Sequence, residues 1–282
     1  MIRKIAFMAA LLLCLCVYVR GQELTVATYN MRNDNNKEDA QHGDGWKQRC
    51  PVIAALIRFH DFDIFGTQEC LYHQLQDLSG KLPGYAWTGV GRDDGRQAGE
   101  HSAIFYKTSR FKLLDKGDFW LSQTPEKPSL GWDAKCCFRI CSWARLEDRQ
   151  SHKQFYCFNL HYDHQGVQAR IESSKLVLKK IREIAGNHPV ILTGDFNGGH
   201  DTEWYKAIAA SGVLKDVYTL AKDPYINNGS FNAFGRALDH MTIIDHIFIT
   251  PDFTVDKYGI LTDTYHGRYP SDHFPVMVQL KL

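Results

Sequence analysis

No strong charge of either sign marks this sequence. Its 33 Lys and Arg face 32 Asp and Glu, which removes the simplest argument for a long-duplex nucleic-acid binder. Beyond the first twenty residues no long apolar run appears, and 44% hydrophobic with 23% charged residues excludes both wholesale disorder and a polytopic membrane protein. There is no internal repeat, low-complexity tract or linker, which leaves one large domain. Eight cysteines are present but no CxxC…CxxC pair, so a zinc ribbon is excluded. The six beyond the leader read mostly as small buried apolar residues. Gly89-Val90-Gly91-Arg92-Asp93-Asp94-Gly95 misses GxGxxG by one residue and lacks the Gly-Lys-Ser/Thr of a P-loop, so it reads as a flexible loop.

What is present begins at the N-terminus. Arg3 and Lys4 precede an apolar run from Ile5 to Val19, too short for a membrane span. This pattern reads as a secretory signal over residues 1–21, cut before Gln22, with export to the periplasm or outside the cell. No transmembrane segment is expected after its removal. The cut takes three basic residues and leaves 30 against 32 acids.

Short apolar strands then alternate with helical stretches. Strands are expected at Leu24–Tyr29, Asp63–Gly66, Ser102–Tyr106, Phe111–Asp118, Phe138–Glu147, Gln154–Leu160, Pro189–Leu192, Ile243–Thr250 and Pro275–Leu280. The turn Asp148–Lys153 makes a hairpin of two of them. Helices are expected at Trp46–His60, with Val52, Ile53, Leu56 and Ile57 inward, at Leu71–Ser79, at Val167–Ala185 and at Thr202–Ala210. In the third of these, Val167, Ile171, Leu178, Ile181 and Ala185 mark the apolar face. Hairpins mixed with helices predict an α/β fold of two mixed sheets packed face to face with helices outside.

The informative residues sit where strands end. Asn30, Glu69, His161, Asp195 with Asn197, Asp245, and Asp272-His273 all interrupt or flank apolar strands. If these ends converge, they assemble four carboxylates, two amides and two imidazoles. Hard oxygen donors select Mg²⁺ or Mn²⁺. A further carboxylate can take a proton from water, and an imidazolium can offset phosphoryl charge. The chemistry implied is metal-assisted hydrolysis of a phosphate ester. Asn159-Leu160-His161-Tyr162-Asp163-His164 nearly matches an HxHxDH zinc motif, but Asn159 replaces the first ligand.

In order along the chain, Thr28-Tyr29-Asn30, Gln68-Glu69, Asn159-Leu160-His161, Gly194-Asp195-Phe196-Asn197, Ile244-Asp245-His246-Ile247 and Ser271-Asp272-His273-Phe274-Pro275 resemble the endonuclease/exonuclease/phosphatase superfamily. Deoxyribonuclease I, exonuclease III, bacterial sphingomyelinases and inositol polyphosphate 5-phosphatases are members. The resemblance spans about residues 24–282 of a domain expected over 22–282, and is nearest to secreted bacterial members related to carbon catabolite repressor deadenylases and nocturnin. It implies a deoxyribonuclease I-like four-layer sandwich. It implies Glu69 as main Mg²⁺ (or Mn²⁺) ligand, with Asn30 beside it. Asp195 would deprotonate water, with Asn197 holding its geometry. His161 would bond a phosphoryl oxygen and Asp245 would support that network. His273 would touch the phosphate, with Asp272 fixing its tautomer. Many family nucleases carry an acid two places after the first Asn, where Arg32 stands here. That argues against a second metal and suits a grip on an extra phosphate.

Arg32, His101 and Arg139 are candidate phosphate-binding residues. Trp120, Trp132, Tyr162 and Phe234 are candidate stacking aromatics. The loops Met31–Gly45 and Ser122–Lys135 are long enough to shape a substrate mouth. The expected activity is a Mg-dependent phosphodiesterase, acting as a 3′–5′ exonuclease on RNA or DNA ends. The alternative is a phosphomonoesterase or a sphingomyelinase- or inositol-phosphatase-like hydrolase of a small phosphoester. A catalytically silent binding protein is the alternative of another class. The partner implied is the phosphoester itself, with no stable protein partner.

Overall fold

The strands alternate in side-chain direction, and that parity decides the architecture. The computed structural model describes residues 23–222 and 224–282. The secretory leader expected over 1–21 lies outside the described residues. In chain order the elements are β1 (Glu23–Asn30), α1 (Lys37–Gln41), α2 (Trp46–Phe59), β2 (Ile64–Gln68), α3 (Tyr72–Lys81), β3 (Tyr85–Thr88), β4 (Ile104–Lys107), β5 (Phe111–Trp120) and β6 (Ile140–Asp148). Then come β7 (Gln154–His161), α4 (Val167–Ala185), β8 (Val190–Asp195), α5 (Glu203–Ala209), β9 (Lys215–Asp216), α6 (Val217–Leu220), β10 (Asp245–Ile249), β11 (Thr254–Ile260) and β12 (Val276–Lys281).

Two six-stranded mixed sheets result, ordered β11-β12-β1-β2-β4-β3 and β5-β6-β7-β8-β10-β9. Three apolar layers hold them. Val26, Ile64, Cys157, Ile191 and Ile249 fill the space between the sheets. Ala27, Tyr29 and Phe65 point the other way and meet Ile53, Leu56 and Ile57 of α2 and Leu75 and Leu78 of α3. Tyr156, Phe158, Val190 and Leu192 meet Val177 and Ile181 of α4 and Ile208 of α5. This is the expected two-sheet sandwich with helices outside. No helix among the described residues is long and apolar enough to cross a membrane.

Several local expectations are corrected. Val52 is only half-buried, and Ala54 takes the inward place on α2. Val167 opens α4 exposed to solvent, because the first helical turn overhangs the sheet. The short strands β3 and β11 escape the sequence reading. Tyr85-Ala86-Trp87-Thr88 is too short to show a period, and exposed Thr254 and Lys257 dilute the apolar signal of β11. The turn after β6 forms as expected, with Asp148 accepting the N–H groups of Gln150 and Ser151 at 3.0 and 2.8 Å. The six described cysteines are all unpaired thiols. Cys50, Cys70, Cys141 and Cys157 are buried, Cys137 is half-buried and Cys136 is exposed.

Between the sheets the inward faces change character along each strand. Val26 gives way to Thr28 and Asn30, Ile64 to Gly66 and Gln68, Cys157 to Asn159 and His161, and Ile191 to Thr193 and Asp195. The middle of this gradient is a polar clasp around Asn159. Its Nδ2 donates to the carbonyls of Thr67 and Ala103 at 2.8 and 3.0 Å. Its Oδ1 accepts from Gln68 Nε2 at 2.7 Å and from Thr193 Oγ1 at 3.0 Å. The clasp passes so close to β2 that a Cβ at Gly66 would lie 2.2 Å from Asn159 Oδ1. Asn159 therefore joins the sheets rather than holding a metal. Replacing it by Ala removes four buried hydrogen bonds, to β2, to β8 and to Ala103 just before β4, and a denaturant titration of Asn159→Ala is expected to show a loss of about 2–4 kcal/mol.

Candidate active site

Strand registers bring the sequence-predicted residues to one end of the sandwich. Asn30 lies beside Gln68 in the parallel β1–β2 pair, so Glu69 follows at the same edge. His161 pairs with Asp195 across β7–β8, and Asp245 pairs with Asp195 across β8–β10. Strand β12 runs antiparallel to β1, with Val276 opposite Thr28, which sets Asp272 and His273 above Asn30. Ser271 Oγ fixes this approach by donating to the Asn30 carbonyl at 2.7 Å.

These ends surround a cavity of about 530 Å³. Arg32, Glu69, Arg139, His161, Asp195, Asn197, Asp272 and His273 line it, so most of the expected residues meet there. Asn30 and Asp245 are fully buried behind that wall. His101 is not brought into the cavity. It is buried below the floor, between the rings of Tyr72 and Trp87, each 6.1 Å away. Apolar Trp87 and Tyr72 draw it inward, away from any substrate. Trp120 and Tyr162 are also buried rather than available for stacking. Phe231 is the aromatic on the cavity wall.

The hydrogen bonds give each group a state. Asn30 Nδ2 donates to Glu69 Oε1 at 3.1 Å and to Asp195 Oδ2 at 3.0 Å, tying the two sheets' carboxylates together. Burial pushes the Glu69 carboxyl up, but the His273 charge and the N–H donors of Asn30 and Asn33 outweigh it and hold the group below its ordinary value. Asp195 behaves oppositely. Burial and the Asp245 charge push it up to about 7, against His273 and the donors Asn197 and Asn30. A carboxyl at that value is matched to general-base work near neutrality. Asn197 donates its backbone N–H to Asp195 Oδ1 at 2.9 Å and its side chain to the Tyr162 carbonyl at 3.0 Å. Its backbone sits at φ +47°, a left-handed turn that Asn tolerates better than most residues.

The two imidazoles diverge. His161 falls well below its ordinary value through burial and the cations Arg139, Arg92 and His273, so it is neutral. Its Nε2 lies 3.5 Å from Asp195 Oδ2. Burial alone would lower His273, but Asp245, Asp195 and Asp272 raise it to about 10, so it is cationic at neutral pH. Its Nδ1 meets Asp245 Oδ2 at 2.9 Å. Asp245, not Asp272 as expected, is thus the acid that holds the His273 ring. Asp272 turns instead toward Arg32, 3.7 Å away, because Ser271 draws that turn onto β1. The Asp195, Asp245 and His273 donor atoms also lie close enough to hold an ion. The direct bond between a cationic imidazole and Asp245 makes them a hydrogen-bonded relay instead.

Among the cavity-wall residues that sequence reasoning missed are Arg92 and Glu100. They pair with each other through Nη1 and Oε2. The loop that brings them is not slack. Arg92 N–H donates to the Glu100 carbonyl at 3.0 Å, and Asp94 accepts the N–H groups of Arg96 and Ala98 at 2.7 and 3.0 Å. Trp120 Nε1 props it by donating to the Arg92 carbonyl at 2.7 Å. The near-miss glycine pattern was the available signal. Asp163 is buried beneath the wall, and His164 lines it, with Nδ1 2.8 Å from Arg139 Nη2.

The donor set fits a divalent cation. Half-buried Glu69 and buried Asp195, Asp245 and Asp272 share one site with His273 and the half-screened Arg32, leaving negative charge to be offset. All of the acidic donors are hard oxygens. Glu69 would hold the ion, with Asp272 and Asn30 beside it. A divalent ion bound there neutralises phosphoryl charge and acidifies water. The chain's own groups do the rest. In such a reaction Asp195 would accept the proton of the attacking water, His161 would donate from Nε2 to a phosphoryl oxygen, and the His273 cation would face the developing charge.

Fold and site together define a phosphoester hydrolase with a deoxyribonuclease I-like sandwich. A model described as the Endonuclease/Exonuclease/phosphatase family matches residues 27–273, and the chain belongs to that family. A Bacteroides thetaiotaomicron structure described as a mannosyl-6-phosphatase is 52% identical, with a TM-score of 0.89 over 92% of this chain and all of that one (100%). The human nocturnin catalytic domain shares the fold, at 20% identity and a TM-score of 0.72 over 93% of this chain and 94% of that one. The chain spans about a third of one curated relative, an uncharacterized protein of Acanthamoeba polyphaga mimivirus, 24% identical over 217 residues, 66% of this chain and 31% of that protein.

Two outcomes follow from this geometry. Mg²⁺ is expected to raise the melting temperature of the chelator-treated protein by mass action, and Glu69→Gln is expected to abolish that rise in a thermal-shift titration. In the pH profile of kcat/KM, His273 keeps its charge below about 10 and loses it above. Asp245→Asn removes the group that holds that proton, so the alkaline limb should move down toward the ordinary imidazole range. An unmoved limb would show that Asp245 does not act through His273.

Proposed function

We propose that this protein is a divalent-metal-dependent phosphomonoesterase acting on a small phosphorylated compound of the sugar-phosphate class. One observation carries the reading. Beside the reacting groups, two arginines of the cavity wall keep buried donors with no hydrogen-bond partner: Nη1 of Arg139, whose Nε stands 3.5 Å from Asp163 Oδ2, and Nε of Arg92, 4.0 Å from Asp93 Oδ1. Unpaired buried donors are costly unless an anion completes them. A phosphomonoester carries close to two charges at neutral pH and offers three acceptor oxygens. A diester offers less charge. The volume suits one sugar ring with its phosphate rather than a duplex. The 52% identical structure described as a mannosyl-6-phosphatase supports the same reading.

In this reaction Arg139 and His273 hold the phosphoryl group from two sides. His161 adds a neutral donor. Asp195 takes the proton from water, and the metal at Glu69 is Mg²⁺ or Mn²⁺. Phosphodiester cleavage at a nucleic-acid end is the second reading. Phe231 favours it, as a wall aromatic on which a base can stack.

A panel of hexose 6-phosphates, inositol phosphates, sphingomyelin and oligonucleotides, assayed with Mg²⁺, separates these readings. Release of inorganic phosphate from a sugar phosphate is expected, and Asp195→Ala should lower kcat by at least about 10²-fold. Arg139→Gln should raise KM for the monoester about tenfold or more while sparing kcat. Oligonucleotide shortening with no monoester turnover would overturn the phosphomonoesterase reading. Full activity in Asp195→Ala would overturn the assigned base.

A further inference from the structure

On the outer face of the second sheet, away from the phosphoester cavity, His200, Asp216 and His246 turn three donor atoms toward one point. Asp216 Oδ2 lies 3.3 Å from His246 Nδ1 and 3.6 Å from His200 Nε2. Ligands held tetrahedrally at about 2.0–2.1 Å from an ion stand about 3.3 Å apart, so these are the separations of neighbouring ligands.

The hydrogen bonds point the same way. His246 Nε2 lies 2.9 Å from the Gly198 carbonyl, which can only accept. That ring nitrogen donates to the carbonyl, which leaves Nδ1 as the atom turned toward the Asp216 carboxylate. His246 and Asp216 are both about 2% exposed. A ligating histidine commonly donates its other ring N–H to a backbone carbonyl, the arrangement His246 shows. His200 Nε2 has no hydrogen-bond partner. Asp216 is oriented from behind by Tyr205 Oη and the Tyr218 N–H, both at 2.9 Å. His200 is one-third exposed, which leaves an entry path and an open fourth position.

We infer that His200, Asp216 and His246 form a second cation site, built for a borderline-soft ion of the Zn²⁺ type rather than for Mg²⁺. Two imidazoles and one carboxylate suit zinc, whereas the Glu69 set is all oxygen. The ligands belong to the segments that carry the chemistry. His200 closes the loop that begins at Asp195 and Asn197, His246 follows Asp245, and Asp216 joins β9 to α6. An ion there ties the Asp195 loop to the strand that orients His273.

The test titrates Zn²⁺ into the chelator-treated full chain in excess Mg²⁺ and repeats it with Co²⁺ as a spectroscopic probe. One equivalent of Zn²⁺ is expected to bind, with a rise in melting temperature and the intense visible bands of tetrahedral Co²⁺. His200→Ala should weaken Zn²⁺ binding by about 10²-fold or more and abolish both signals, while Glu69→Gln keeps them. His200→Gln, which preserves bulk beside Tyr218, should behave like the Ala variant. Three results overturn the site: no Zn²⁺ uptake in excess Mg²⁺, unchanged uptake in both His200 variants, or uptake that disappears in Glu69→Gln.

Discussion

Everything at the active end depends on the buried amide of Asn159. It sits on β7 where two sheets face each other and bonds at once to β2, to β8 and to Ala103 just before β4. An apolar side chain there would still fill space, but it would let the sheets slide. A buried amide with four bonds accepts few relative positions, because each bond loses its value within a few tenths of an ångström. The clasp sets sheet spacing one residue pair below Asn30, Glu69, His161 and Asp195. Catalytic geometry built from two sheets needs that spacing held, and Gly66 is the concession that allows it.

Above the clasp the problem changes from spacing to charge. Three buried carboxylates and the half-buried Glu69 would repel one another and disfavour folding. They coexist because each is answered differently. Glu69 has amide donors, Asp245 has a cationic imidazole, Asp272 has Arg32 at one remove, and Asp195 is left near neutrality. The least compensated group is the one assigned to take a proton. That is the general bargain of active sites, where incomplete pairing supplies reactivity at a cost in stability. Arg92 and Arg139 extend the same logic to the cavity wall, since each keeps a buried donor without a hydrogen-bond partner.

Much of this was legible in the chain. Strands ending in Asn30, His161 and Asp195 announced themselves, because a polar residue at the end of an apolar run is conspicuous. Helices α2 and α4 were legible from their spacing. What escaped has physical causes. Strands β3 and β11 are edge strands, half-solvated, with no continuous apolar face to read. Arg92 and Glu100 sit in a loop with no period at all, placed by hydrogen bonds to its own backbone and by Trp120. His101 looked like a phosphate ligand because its burial between Tyr72 and Trp87 is a packing event between distant segments. The partner of His273 was misassigned for a similar reason. The resemblance implied Asp272, but the turn at Ser271 carries that carboxylate toward Arg32 and leaves Asp245 to meet the ring.

The near-balance of charge, the alternating apolar strands and the order of the polar strand ends are properties of the chain itself. They determined the two-sheet sandwich, the family and the hydrolase chemistry, because side-chain parity and donor type are local facts. The tertiary structure decided which acid holds which imidazole and which arginines face the cavity. It decided too that His200, Asp216 and His246 converge. These are outcomes of register and packing between segments far apart in sequence, and distances of a few ångströms between such segments are written in no local pattern.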